Sequence, residues 1–486
     1  QKWFDDRIIK PLDDFSSFLS SITIKPPANY LSHHSIANEW ALARYSSMLK
    51  EDNDNNLYVS LQKKILDLDY LKTLHFKYLE AKANRQRFNI NKHTIIPVIK
   101  GIEDKIIGII DDEIDKGWLE LYSYIFVKSK AKGVFFNNFK KADTKDELID
   151  KLKIWVLEKI NSSDPINVFL VDLRLHDDDY TENVFENLSG IELIKFIKYH
   201  NRGIQIVVST ASNKVWSYQK CLMAGAKYFS IKESPETYSA RSETIDSFHH
   251  FSSQVSLAVK DSFLAEIFRE IDNLKKNNNI LLNCSGVKES EFTNLTFGEN
   301  GLLDQIFNLL VLDNSNDTII HQCLLLAFQI LENYCELGLV GNFGSDNSTG
   351  TNLSSGSVWA KDGSGLKHIF INHPNQKISS CFELVYGRFP FQIQESNETP
   401  ITFNVFEKMN LISSYKSGLD VSSLVKIITI LYFRHNIVKE DVDRIIALRY
   451  YRSNVAAHFT GKVKIINKIK ANDIVFFIDV FSKLFK

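Results

Sequence analysis

Residues 105–118 read KIIGIIDDEIDKGW: an apolar run short enough for one strand, then Asp111, Asp112 and Glu113 without a break. Downstream, NVFLVDLRL (167–175) ends a second such run on Asp172, IQIVVSTAS (204–212) ends on Ser209 and Thr210, and KYFSIKES (227–234) ends on Lys232. With GVFF (133–136) these make five short β-rich runs, alternating with amphipathic segments such as KDELIDKLKIWVLEKI (145–160) and GIELIKFIKYH (190–200). Strand and helix patterns in alternation specify a parallel sheet with helices on both faces. In such a sheet, side chains just past the carboxyl ends of the strands line the ligand crevice. Acid, acid, hydroxyl and amine at those ends suit phosphoryl transfer to Asp172. Asp111, Asp112 and Asp172 would hold a hard, oxygen-liganded Mg²⁺ ion, and Lys232 and the Thr210 hydroxyl would neutralise the phosphoryl oxygens.

The order of these residues resembles the receiver domain of bacterial response regulators over about residues 103–240, within a domain drawn at 101–240. The acidic pair, Asp172, Thr210 with Ala211, the AGA at 224–226 and Lys232 all occur in sequence. The resemblance implies a flavodoxin-like, five-stranded fold, phosphorylation of Asp172 by a histidine kinase or other phosphodonor, and dependence on Mg²⁺. Two departures stand out. HDDDYTENVFEN (176–187) is inserted before Gly190, the glycine expected soon after the phosphoacceptor, and Glu233 replaces the proline usual after the lysine. Asp177, Asp178 and Asp179 read as solvated loop charges. A receiver fold retained only for docking or dimerisation is the alternative.

The chain has 486 residues, with 58 Lys and Arg against 59 Asp and Glu, so no global field draws it to a polyanion. Its length implies about three domains. Residues 1–100 show helical spacing between proline breaks, SETIDSFHHFSSQVSLAVKDSFLAEIFREIDNLKKN (242–277) reads as a connecting helix within a 241–294 linker, and 295–486 reads as a helical domain. Within it, GNFGSDNSTGTNLSSGSVWAKDGSG (341–365) reads as a mobile loop. Five separated cysteines without CxxC pairs favour reduced core thiols, and the absence of a signal core or membrane-length apolar run gives an expectation of a cytoplasmic protein with no membrane partner.

The final helical region carries ALRYYRSNVAAHFTG (447–461). Arg452 and His458 resemble the Arg-x4–6-His motif of HEPN ribonucleases, with Asn454 as the polar residue between them. The resemblance implies a helical HEPN-like domain, RNA as substrate, no cofactor at that site, and a homodimer with two motifs facing across a cleft. His458 would serve as general acid or base, and Arg452 would stabilise the phosphorane. Arg449 and Tyr451 are candidate RNA contacts, while Tyr450 and Tyr451 also suit a core or dimer interface. Read blandly, the stretch is a helix end, with Arg452 paired to an acid such as Asp443 or Glu440 and His458 with Gly461 completing a C-cap. The function expected is a signalling-controlled endoribonuclease, with a toxin or antiphage role following from resemblance. A non-catalytic scaffold that docks through the receiver and dimerises through the helices is the alternative.

Overall fold

The computed structural model describes residues 33–49, 52–83, 98–139, 144–182, 184–211, 215–234, 241–277, 287–341, 423–452 and 469–485, a few isolated positions near residue 22, and short strands between 357 and 421. The chain divides into two compact units, Gln1–Ala265 and Glu266–Lys486.

In the first unit, β1 (Ile106–Ile110), β2 (Lys132–Phe135), β3 (Val168–Val171), β4 (Gln205–Thr210) and β5 (Tyr228–Ile231) form one sheet of order β2-β1-β3-β4-β5. Every pairing in it is parallel. This is the flavodoxin-like order, with its switch point between β1 and β3. β3 and β4 are buried at every residue, as strands covered on both faces must be. One face carries helices Lys145–Ile160 and Ser189–His200, whose Leu148, Leu152, Ile191 and Ile194 share a core with Phe169 and Val171. The other carries Trp118–Lys128 and Arg241–Lys260. Phe248, Phe251 and Val255 of the latter are core residues of this unit, and a break at Asp261 and Ser262 separates it from the next helix, Phe263–Lys276.

Two helices from the first hundred residues, His33–Ser47 and Asn56–Asp67, lie on that second face. Leu42, Tyr45, Leu61 and Ile65 join the cluster that holds Trp118, Leu121 and Phe248. Gly117 admits them: its φ is +124°, and a Cβ there would lie 3.1 Å from Leu42 Cδ2.

The second unit is helical at both ends. Leu302–Asp313, Asp317–Gly338 and Ala471–Phe485 bury Ile306, Leu310, Leu324, Phe328, Phe477 and Phe481. Helix Ser423–Ile428 continues as a π-helical turn over Thr429–Arg434 before Lys439–Tyr451. The expectation of a mostly helical domain over 295–486 is corrected between these ends. Six strands, β6 (Leu339–Gly341), β7 (Ser357–Lys361), β8 (Lys367–Asn372), β9 (Ser379–Leu384), β10 (Phe391–Glu395) and β11 (Ile401–Phe403), form a sheet in sequential order. Only β6 and β7 pair in parallel. Two of these strands, β6 and β7, draw residues from the stretch read as a loop. Short runs of period two among Gly, Ser and Asn give a weaker signal than the long helical runs around them.

Candidate phosphoacceptor site

Register builds the crevice. Ile110, Val171, Val208 and Phe229 lie in one rung across four strands, so the next residues, Asp111, Asp172, Ser209 and Ser230, emerge side by side. Thr210 and Lys232 follow on the two strands at the edge of this row, joined by a 2.7 Å bond from the Lys232 N–H to the Thr210 carbonyl. The Lys232 ammonium donates to Asp111 Oδ2 and to Asp172 Oδ2, each at 2.8 Å. Asp172 Oδ1 accepts the Leu173 N–H at 2.6 Å, and Asp111 Oδ1 accepts the Glu113 N–H at 3.1 Å. Asp172, Asp111 and Lys232 are 1%, 3% and 2% exposed, and Thr210 is fully buried.

Charge is concentrated here. Burial alone would depress the Lys232 ammonium, but Asp111 and Asp172 override it and hold it well above its ordinary value. Burial raises the Asp111 carboxyl despite Lys232, and raises Asp112 further because Asp172, Asp111 and Glu113 stand beside it. Asp111, Asp112 and Asp172 each present an oxygen within 4.8 Å of the others. Asp112 Oδ1 is buried with no hydrogen-bond partner. An oxygen-only trio with an unsatisfied buried acceptor fits a hard divalent cation such as Mg²⁺.

Sequence reasoning missed three groups around the crevice. The Trp118 ring lies 4.7 Å from the Lys232 ammonium, placed by the first residue of its helix. Glu233, standing where proline was expected, is 6% exposed and accepts the Trp40 indole N–H at 3.1 Å, with Arg44 Nε at 3.5 Å. The N-terminal helix is thereby tied to the residue next to Lys232. The third is Tyr180, whose hydroxyl donates to Asp112 Oδ2 at 3.4 Å.

The insert also corrects one reading. Asp177 and Asp178 are exposed as expected, but Asp179 is fully buried. It accepts the backbone N–H groups of Leu175, His176 and Ser189 at 3.0, 3.3 and 3.1 Å, and pairs with Lys145 at 2.7 Å. Periodicity could not distinguish a carboxylate with that many local donors from its solvated neighbours. Past the insert, Gly190 lies against the acceptor's backbone: a Cβ there would lie 2.3 Å from the Asp172 carbonyl oxygen.

At the C-terminal motif, Arg452 caps helix Lys439–Tyr451 and donates to Glu332 Oε1 at 2.6 Å, not to Asp443 or Glu440. Asp443 instead pairs with Lys439. Arg449 approaches the same Glu332 oxygen at 3.6 Å and donates to Ser423 Oγ at 2.6 Å. The Tyr451 hydroxyl bonds His321 Nε2 at 3.0 Å. Asn454 and His458 lie outside the described residues. Cys221, Cys323 and Cys335 are buried free thiols. Among the described residues, no helix is long and apolar enough to cross a membrane.

No family model matches the chain. No curated protein matches it either. Among solved structures, a CheY-like response regulator receiver domain protein from Methanospirillum hungatei JF-1 is similar at 20% identity, covering 31% of this chain and 98% of that one, with a TM-score of 0.19. The receiver domain of Francisella response regulator 1452 is similar at 13% identity, covering 30% of this chain and 99% of its own, with a TM-score of 0.18. Strand order and the Lys232 bridge, read from this chain alone, give its first unit a receiver-like α/β fold.

Proposed function

We propose that the first unit is a phosphorylation-responsive receiver whose acceptor is Asp172. The observation that carries this reading is the buried Lys232 ammonium bridging Asp111 and Asp172 at 2.8 Å each, at the carboxyl ends of a parallel sheet. An Asp172 oxygen attacks the phosphorus of a phosphohistidine or acyl phosphate, a P–O bond forms, and the bond to the donor's nitrogen or oxygen breaks. Lys232 follows the charge from the carboxylate to the phosphoryl oxygens, and the Thr210 hydroxyl donates to them. Asp111, Asp112 and Asp172 would hold a Mg²⁺ ion, which would supply further neutralisation of that charge. Acetyl phosphate with Mg²⁺ is expected to add a phosphoryl mass to the wild type and none to Asp172→Ala. Equal masses in both samples would overturn the assignment.

A narrower reading concerns the second unit. Arg449 and Arg452 converge on Glu332 at the helix end where the motif starts, and two guanidiniums on one carboxylate leave a positive excess suited to a phosphodiester. On this reading Arg452, Asn454 and His458 cleave RNA without metal, through 2′-OH attack, in a homodimer. Total RNA is expected to be degraded in the presence of a chelator by the wild type and not by His458→Ala. Persistent cleavage by the variant would overturn this reading, and none by either would leave the second unit as a scaffold.

A further inference from the structure

The insert at 176–187 has one end that is fixed and one that reaches the acceptor crevice. Asp179 is the fixed end. Its carboxylate ties the last residues of the β3 exit to the start of helix Ser189–His200 through Leu175, His176 and Ser189, and Lys145 neutralises it. Tyr180, the next residue, is the reaching end. Its hydroxyl meets Asp112 Oδ2 at 3.4 Å, long for an O–H···O bond and correspondingly weak. Asp112 is the half-buried member of the trio, whereas Asp111, Asp172, Thr210 and Lys232 are all buried. Asp112 is thus the least buried of these side chains, and Tyr180 stands beside it.

We propose that Tyr180 is a gate over the phosphoacceptor crevice, a positioning residue that limits the entry of small phosphodonors and of hydrolytic water to Asp172. The inference rests on Asp172 being the acceptor. Closed, the ring covers the approach and the hydroxyl occupies one Asp112 oxygen. Open, Asp112 is released to a cation and the approach to Asp172 is clear. The same gate governs loss: water attacks phosphorus, the P–O bond to Asp172 breaks, inorganic phosphate departs and the carboxylate is restored. A ring that screens donor and water alike slows gain and loss together, which distinguishes a gate from a residue that merely steadies the fold.

The experiment follows Asp172 phosphorylation by intact mass in the full chain, first with acetyl phosphate and Mg²⁺, then after donor removal. Tyr180→Ala is expected to speed both gain and loss by about tenfold, equivalent to removing about 1.4 kcal/mol of closing free energy. Tyr180→Phe keeps the ring but loses the hydroxyl that meets Asp112, and is expected to fall between the wild type and Tyr180→Ala in both. Wild-type rates in Tyr180→Ala would overturn the gate while leaving the acceptor assignment intact. No mass gain in any variant would overturn the assignment and the gate with it. As a measurement independent of any variant's folding, Mg²⁺ added to the wild type is expected to accelerate amide exchange at 177–181, because the cation displaces the hydroxyl from Asp112. Exchange there unchanged by Mg²⁺ at concentrations that calorimetry shows to bind would also overturn the gate.

Discussion

At the scale of single residues, Lys232 carries the largest electrostatic load. Its ammonium is buried between two carboxylates, so removing it leaves Asp111 and Asp172 facing each other without a cation. Breaking a buried pair on one side costs about 3–5 kcal/mol. Lys232→Met, close in volume, is expected to lose stability on that order in urea unfolding. Asp172→Asn removes one of the two like charges and is expected to lose much less. Lys232 was legible in the sequence because it follows the last of five apolar runs. Trp118, which lies over it, was not, since an aromatic at the first position of an amphipathic helix reads as core.

At the scale of elements, the insert and the N-terminal helix each act through a buried carboxylate of their own. Asp179→Ala would strip the His176 and Ser189 backbone N–H groups of their acceptor and Lys145 of its counter-charge. The expected loss is roughly 3–5 kcal/mol, with chemical-shift or exchange changes confined to 174–190. Glu233 is the counterpart for helix His33–Ser47, gripping Trp40 and Arg44. Both contacts join residues distant in sequence or depend on the final turn geometry, so composition and period carried no sign of them. The strand ends were legible because a parallel sheet converts one-dimensional order into a row of side chains. The sheet of β6 to β11 was misread, although FQIQE (391–395) alternates apolar and polar as a strand should.

At the scale of the whole molecule, the two units carry separate titrations. In the second, burial and then Arg434 lower the His435 imidazole to about 4, with its Nε2 2.8 Å from the Tyr334 hydroxyl. The unfolded chain, titrating near the ordinary value of about 6.5, binds the proton first, so stability from the neutral ring is complete above that pH and is lost as pH falls toward about 4. The loss is on the order of 3 kcal/mol. Urea midpoints of the second unit's transition measured from pH 7 to pH 4 are expected to fall more steeply for the wild type than for His435→Gln. Equal slopes would exclude His435 as the source. The division at Ala265 itself was not legible, because Arg241–Lys260 has the spacing of a connecting helix while its apolar face completes the core of the first unit.

The position of Lys232 has an optical consequence. One indole, Trp118, lies against its ammonium, and a second, Trp40, is bonded to the residue beside it. A cation over an indole face perturbs its emission, so drawing the lysine toward a phosphoryl group changes the light that Trp118 gives out. On the proposed assignment, phosphorylation of Asp172 is expected to be readable in the unlabelled protein as the difference between wild-type and Trp118→Phe fluorescence.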